Sequence, residues 1–143
     1  MTEVSFYTHA ADKLTVARQL VSKARAKKLN VLVYTPDHAL AAEMDRLLWT
    51  QPALAFIPHC LDGDPLASVT PVIIGTQAEA LPSADVIINL ADEPPAVFSR
   101  FERLMEIVTD AEPDLSQGRA RYRFYKDRGY ALVNNDLRNG SKK

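Results

Sequence analysis

The sequence predicts a single α/β domain in three layers, with helices on both faces of a largely parallel sheet. Its 143 residues suffice for one compact domain with one hydrophobic core. Along that length, apolar runs typical of buried strands alternate with segments in which apolar residues recur at helical spacing. Strands that alternate with helices over so short a chain favour parallel strands joined by helical crossovers.

The first part of the chain predicts three strands separated by two helices. Residues 3–9 mix β-branched and aromatic side chains and indicate the first strand, and a first helix follows from a cap at Asp12. The apolar run 30–36 is typical of a strand buried on both faces. Asp37 then caps a second helix, and residues 55–59 form a short third strand. The inward stripe of the second helix consists of Leu40, Met44, Leu47 and Leu48.

Three more apolar runs follow, and a helix separates the last two of them. The runs 71–76, 85–90 and 105–110 are predicted to be strands. The helix begins at Pro94 or Pro95, because proline is well tolerated in the first turn. Its apolar side consists of Val97, Phe98, Phe101 and Leu104.

One more helix and one more strand complete the predicted domain. The helix covers residues 115–128, is capped by Asp114 and ends at Gly129, the residue type preferred just after a helix. Residues 130–136 then form the final strand.

Composition and charge limit the classes of function. Residues 119–128 hold five basic side chains and one acidic one, a local charge of +4, which leaves −5 for the rest of a chain of net charge −1. A slightly acidic body argues against wrapping DNA over a broad surface. The single cysteine excludes an internal disulfide, and neither a signal peptide nor a spanning segment is visible, so we expect a cytoplasmic protein without membrane contact. We expect one domain over residues 1–137 and a flexible polar tail over 138–143.

Motifs for nucleotide chemistry are missing from the sequence. Neither GxGxxG nor GxxxxGK[ST] occurs, and no glycine lies at the first turn between strand and helix. Asp92 and Glu93 follow the strand 85–90, as the metal-binding acids of nucleotide hydrolases do. We interpret them as a helix cap beside Pro94, and a degenerate nucleotide-binding enzyme remains an alternative.

The sequence signals for a metal site and for a catalytic nucleophile are equally weak. His59 and Cys60 are adjacent on a predicted strand, so their side chains point to opposite faces. Asp62 and Asp64 resemble a fragment of a calcium loop but lack its spacing and its terminal glutamate. No serine lies in a GxSxG context. We therefore expect no cofactor, no metal and no catalytic residue.

Two surfaces remain as candidates for binding. Trp49 lies at the end of the second helix and Phe56 on the following strand, so the pair is either the edge of the core or an aromatic anchor for a partner protein. The second surface is on the last helix, where Tyr122 and Tyr125 lie toward the core and Arg121 lies on the far flank with Arg128. At 100° per residue, three cations of that helix fall within about 60° and form a cationic ridge, namely Arg119, Arg123 and Lys126.

The cationic ridge suits a short anionic peptide with a hydrophobic end. Guanidinium groups bind carboxylates through two parallel hydrogen bonds, and an aromatic hollow takes the apolar group. Single-stranded nucleic acid uses the same residue types along a longer groove, which the acidic remainder disfavours. A helix face that simply contacts solvent is the third interpretation.

Three segments carry a resemblance to a known family. They are VSFYTH at 4–9, LLWTQPALAFIPHCL at 47–61 and RARYRFYKDRGYAL at 119–132. In these segments the chain resembles the chi subunits of bacterial DNA polymerase III holoenzyme. The resemblance implies a Rossmann-like fold that has lost nucleotide binding, in a non-catalytic accessory subunit of the clamp-loader assembly.

The resemblance also implies protein partners. The family joins the small psi subunit to the single-stranded DNA-binding protein (SSB), whose acidic tail ends in a phenylalanine carboxylate. It is also similar to proteins that pair with a repair helicase through the psi-binding face. DNA would then be contacted mainly indirectly.

Site residues follow from the resemblance position by position. Trp49 and Phe56 match aromatic residues of the family that face psi. Arg119 and Arg123 match basic residues that receive the SSB tail, and Tyr122 matches an aromatic ring beside them. A further basic residue of that pocket falls here on Leu115, and the candidates for the missing charge are Lys126 and Arg121.

Overall fold

Seven strands and three α-helices form the described part of the protein. The structure, a computed structural model, describes residues 2–49, 59–61, 70–76, 85–96 and 98–139. The helices are α1 (Lys13–Ala26), α2 (His38–Trp49) and α3 (Asp114–Asp127). The strands are β1 (Glu3–Ala10), β2 (Val31–Tyr34), β3 (His59–Leu61), β4 (Val72–Gly75), β5 (Val86–Asn89), β6 (Arg103–Thr109) and β7 (Leu132–Asp136).

The strands form one sheet in the order β3-β4-β2-β5-β6-β1-β7. Every pair in it is parallel, so the carboxyl ends of all seven strands lie at one edge. This confirms the predicted α/β class and extends the predicted parallel character to the whole described sheet. Residues 55–58, which the sequence assigned to the third strand, lie outside the described residues, and β3 begins at His59.

Helices cover both faces of the sheet, which gives the three predicted layers. On one face α1 and α2 bury apolar side chains, including Leu20 and Met44, against Val33 of β2. On the other face α3 buries Tyr125 against Phe6 of β1. Because both faces are covered, all the residues of β2, β4 and β5 are buried, which explains why these strands read as continuous apolar runs.

The helix predicted from Pro94 or Pro95 to Leu104 is wrong. A short 3-10 turn, Phe98–Arg100, takes its place, and Leu104 lies in β6. Consecutive prolines disfavour helical backbone in the residue before each of them. The apolar spacing arose because Phe98 and Phe101 are buried in the turn and Leu104 is buried in the strand.

Some of the predicted helix caps are confirmed and others are wrong. Asp37 caps α2 as expected, since its Oδ1 accepts hydrogen bonds from the backbone N–H groups of residues 39 and 40 at 2.9 and 3.3 Å. Gly129 follows α3 with φ +83°, as predicted. Asp114 is not the cap, because α3 begins at this residue and its Oδ2 accepts the backbone N–H of Thr109 at 2.8 Å. The cap at Asp92 and Glu93 is also wrong, because the described residues 94–96 that follow them are not in an α-helix.

Two further properties concern the described residues alone. No helix among them is long and apolar enough to cross a membrane. Cys60 is a free, buried cysteine in β3.

Candidate functional site

The sheet topology creates two crevices at its carboxyl edge. Adjacent strands β1 and β6 send the chain in opposite directions, β1 through α1 to β2 and β6 through α3 to β7. The adjacent pair β2 and β5 does the same, since β2 leads to β3 and β5 leads to β6. Such switch points are where open α/β sheets bind ligands.

A cavity of about 230 Å³ lies at the β1/β6 crevice, against α3. Its apolar wall includes Phe6 and Tyr122, whose rings meet edge to face with centroids 5.1 Å apart. Arg119 adds the cationic side chain of α3 to the same cavity. The full lining of this α3 cavity is Phe6, Thr8, His9, Val108, Asp110, Leu115, Gly118, Arg119 and Tyr122.

Gly118 allows α3 to lie close to β6 at this cavity. A Cβ atom at position 118 would stand 2.7 Å from both methyl carbons of Val108, a distance that real side chains do not tolerate. Valine has little freedom to rotate away. The absence of a side chain at Gly118 therefore sets the spacing between α3 and β6.

The structure brings some of the predicted residues together and separates others. Arg119 and Tyr122 both line the α3 cavity, and Tyr122 is half-buried while its hydroxyl accepts a hydrogen bond from Asn134 at 3.3 Å. Arg123 and Lys126 are exposed on α3 and do not line the cavity. Leu115, the position at which the resemblance implied a basic residue, is part of the cavity wall.

Arg121, predicted on the far flank of the helix together with Arg128, is buried, whereas Arg128 is exposed. Its side chain is 1% exposed, its Nε donates to Glu106 Oε1 at 2.8 Å, and its Nη1 donates to the carbonyl of Asp92 at 2.9 Å. About 100° per residue places position 121 on the same side of α3 as the buried Gly118 and Tyr125. Arg121 therefore cannot supply the charge that Leu115 lacks.

Glu106, the buried partner of Arg121, has a carboxyl group with a raised pKa. Burial raises the pKa of Glu106, opposed by the charge of Arg121 and by hydrogen bonds from Tyr125, Asn89 and Arg121. Tyr125 donates its hydroxyl to Glu106, and its own pKa is raised by burial and by that carboxylate. This network fixes α3 to the centre of the sheet.

His9 and Asp110 are site residues that the sequence reasoning missed. Both line the α3 cavity, and His9 Nδ1 lies 2.7 Å from Asp110 Oδ1. His9 is the penultimate residue of β1 and Asp110 directly follows β6, and their meeting depends on β1 and β6 being neighbours in the sheet. The sequence indicates where the two strands end but not that they are neighbours in the sheet. Without the strand order, the contact between His9 and Asp110 could not be predicted.

A second cavity, of about 360 Å³, lies at the β2/β5 crevice. Tyr34 of β2 and Pro36 after it line one side, and Asp92, Glu93 and Pro94 line the other from the segment that follows β5. Its described lining carries two carboxylates and no basic side chain, the opposite of what the phosphates of a nucleotide attract. Within the described ranges, no three His, Cys, Asp or Glu residues are grouped so that they could hold a metal ion.

The second predicted surface is only partly described. Trp49 is the last residue of α2, and Phe56 lies outside the described residues. One turn before Trp49, Asp45 of α2 contacts β3, since its Oδ1 lies 3.3 Å from His59 Nε2. Since α2 and α3 cover opposite faces of the sheet, Trp49 and the cationic ridge lie on elements of different layers.

Comparison with known proteins places this chain in a family. A family model described as DNA polymerase III chi subunit, HolC, matches residues 1–133. DNA polymerase III subunit chi of Pseudomonas aeruginosa is 35% identical over 142 residues, which cover 96% of this chain and 98% of that protein. The subunit chi of Escherichia coli is 28% identical over 126 residues, 85% of this chain and 86% of that protein.

A third relative gives the same result over a shorter stretch. The DNA polymerase III subunit chi of Haemophilus influenzae is 30% identical over 103 residues, 71% of this chain and 72% of that protein. The fold has the class that the resemblance implied, and the family model spans most of the chain. The chain therefore belongs to the DNA polymerase III chi subunit family.

Proposed function

We propose that this chain is a non-catalytic accessory subunit of the DNA polymerase III clamp-loader assembly that joins SSB to the psi subunit or to a repair helicase. In this proposal the α3 cavity and the cationic ridge bind the acidic tail of SSB. The observation that carries the proposal is the position of the exposed Arg119 beside an apolar hollow at a switch point of the sheet.

The size and lining of the α3 cavity support a peptide end as its ligand. Its volume of about 230 Å³ is below the roughly 300–1,000 Å³ of pockets for drug-sized molecules and suits one large side chain. Phe6, Val108, Leu115 and Tyr122 give an apolar wall for a terminal aromatic ring. Arg119 can take a carboxylate through two hydrogen bonds.

The rest of the acidic tail would follow the cationic ridge. Arg123 and Lys126 are exposed on α3 and lie on the same side as Arg119. Exposed ion pairs contribute little each, so the tail contact is expected to be weak and to weaken further as salt rises. A weak tether still concentrates the polymerase on strands coated with SSB, because the second contact becomes intramolecular.

A fluorescence anisotropy titration with a labelled acidic peptide that ends in phenylalanine tests the tail site. Charge reversal at Arg119 and Arg123 should abolish binding, because it removes the donors and repels the peptide. The matched control reverses Lys23 and Lys27, two exposed cations at the end of α1 on the other face of the sheet. Equal affinity in the two double variants would refute the site.

Variants of the two aromatic residues separate the partner surfaces. Trp49→Ala or Phe56→Ala should weaken capture of psi and leave peptide affinity unchanged. Loss of both interactions in one variant would indicate unfolding, which circular dichroism detects.

Direct binding of single-stranded nucleic acid is the second candidate. The exposed positions of Arg123 and Lys126 outside the cavity favour it, since they extend the cationic ridge beyond one side chain's pocket. Oligonucleotide binding without SSB, with a steep dependence on salt concentration, would support this alternative.

A further inference from the structure

We propose that His9 and Asp110 are part of the tail site, where protonation of the histidine cancels a carboxylate charge that otherwise repels an acidic ligand. The inference rests on the proposed function, because it assigns the pH dependence of the same α3 cavity. It makes the His9–Asp110 pair a determinant of when the site accepts an anionic peptide.

The geometry places the pair at the cavity. His9 and Asp110 both line it, with 2.7 Å between Nδ1 and Oδ1, and Arg119 lines the same cavity from α3. The side chains remain accessible, at 29% for His9 and 63% for Asp110. A peptide carboxylate held by Arg119 in this cavity therefore lies near the Asp110 carboxylate, which disfavours binding.

The backbone of β1 is irregular at this position. His9 has φ +61°, in the left-handed region that favours glycine, and the register between β1 and β6 shifts between Tyr7 and Ala10. Residues held in such conformations cluster at binding sites. The distortion occurs where β1 contributes Thr8 and His9 to the cavity.

The carboxylates of Asp136 and Asp114 near β1 are already paired. Arg138 lowers the pKa of Asp136 to about 2 through hydrogen bonds to its carboxylate, and His9 adds a smaller contribution in the same direction. Lys13 contacts Asp114 at 2.8 Å. The charged groups on the elements around His9 are Asp110 after β6, Asp136 of β7, Arg138 of the 3-10 turn Leu137–Asn139, Lys13 of α1, and Asp114 and Arg119 of α3.

Of these side-chain types, only histidine ordinarily changes its charge between about pH 5 and pH 8. With a protonated imidazole the pair is neutral, and Arg119 gives the cavity a positive charge. With a neutral imidazole the Asp110 carboxylate is uncompensated beside the ligand. Affinity for an acidic peptide should therefore fall about three- to tenfold as the pH rises over this range.

Anisotropy titrations of the full chain with the acidic, phenylalanine-ended peptide test the inference at several pH values and constant salt. The carboxylates of the peptide remain ionised, because their ordinary pKa is about 4. Asp110→Asn should keep the higher affinity up to about pH 8. His9→Asn, chosen because asparagine tolerates left-handed backbone, should show the lower affinity at every pH.

Opposite effects of the two variants distinguish a charge effect from a structural one, since damage to the cavity would weaken both. A pH profile that both variants share with the native chain overturns the inference, while loss of binding on charge reversal at Arg119 and Arg123 would still uphold the proposed function. A native chain that binds the peptide at no pH overturns both. Thermal melts verify that each variant is folded.

Discussion

Arg121 and Arg119 are two positions apart on α3 and have different roles. Arg119 is exposed and lines the cavity, whereas Arg121 is buried against Glu106. Helical geometry separates them by about 200°, which places Arg119 on the side of the cavity and Arg121 on the side of the sheet. The sequence shows the basic stretch but does not indicate which of its charges is buried in the core.

We expect Arg121→Met to destabilise the protein by about 3–5 kcal/mol, because it leaves the buried carboxylate of Glu106 without its charged partner. The pKa of Glu106, already raised by burial, would rise further above its unfolded value of about 4.3. A folded pKa above the unfolded one means that stability is lost as the pH rises through this interval. The loss in free energy of unfolding relative to the native chain should therefore be small near pH 4 and larger toward neutral pH.

Urea denaturation of both proteins at several pH values measures this difference. Arg123→Met is the matched control, because Arg123 is exposed on the same helix and its replacement should change the unfolding free energy by less than about 0.5 kcal/mol. A deficit of Arg121→Met that does not vary with pH would contradict the role assigned to Glu106.

The contact between α3 and β6 depends on one small residue. Gly118 lies against Val108, and both belong to the α3 cavity. The sequence predicted the helix and the strand separately, since each has its own periodicity. Their close approach was not predictable, because a glycine within a helical pattern is as consistent with solvent exposure as with tight packing.

Gly118→Ala should destabilise the protein by about 1–3 kcal/mol, because overpacking at Val108 outweighs the gain in helix propensity. Displacement of α3 should also weaken binding of the acidic peptide. Thermal denaturation and the anisotropy titration measure the two effects. Ala120→Gly, on the exposed side of α3, is the control and should lose only about 1 kcal/mol from helix propensity, with peptide affinity unchanged. An alanine variant of native stability would contradict the tight contact.

The segment after Pro94 shows the limit of periodicity at the level of elements. Phe98, Phe101 and Leu104 have helical spacing, yet a turn and a strand bury them. The proline pair is compatible with a helix start as well as with a turn, so the apolar spacing alone does not distinguish the two. The alternation of the other elements was sufficient for the fold class, because buried parallel strands have a distinctive apolar character.

At the scale of the molecule, the strand order decides where ligands can bind. The sequence predicted parallel strands and a cationic ridge, but the α3 cavity exists because β1 lies beside β6 in the sheet. Strand order is set by contacts between distant segments, which local patterns do not report. For this reason Arg119 and Tyr122, which lie on one helix, could be singled out from the sequence, whereas His9 and Asp110 come together only through the strand order.

The two proposed partner surfaces should act independently, because α2 and α3 lie on opposite faces of the sheet. Saturation with the acidic peptide should leave the affinity for psi unchanged within about twofold, as expected for uncoupled sites. Isothermal titration of psi into the chain, with and without peptide, measures the coupling. Competition between the two ligands would contradict separate surfaces.

The distance in sequence between His9 and Asp110, 101 positions, has a consequence for folding. A ligand in the α3 cavity would touch residues from the opening strand and from the C-terminal quarter of the chain, so it can bind only after these remote segments have come together. Occupancy would then favour the assembled molecule over the open chain by mass action. Partner capture and fold maintenance would thus share the same contacts.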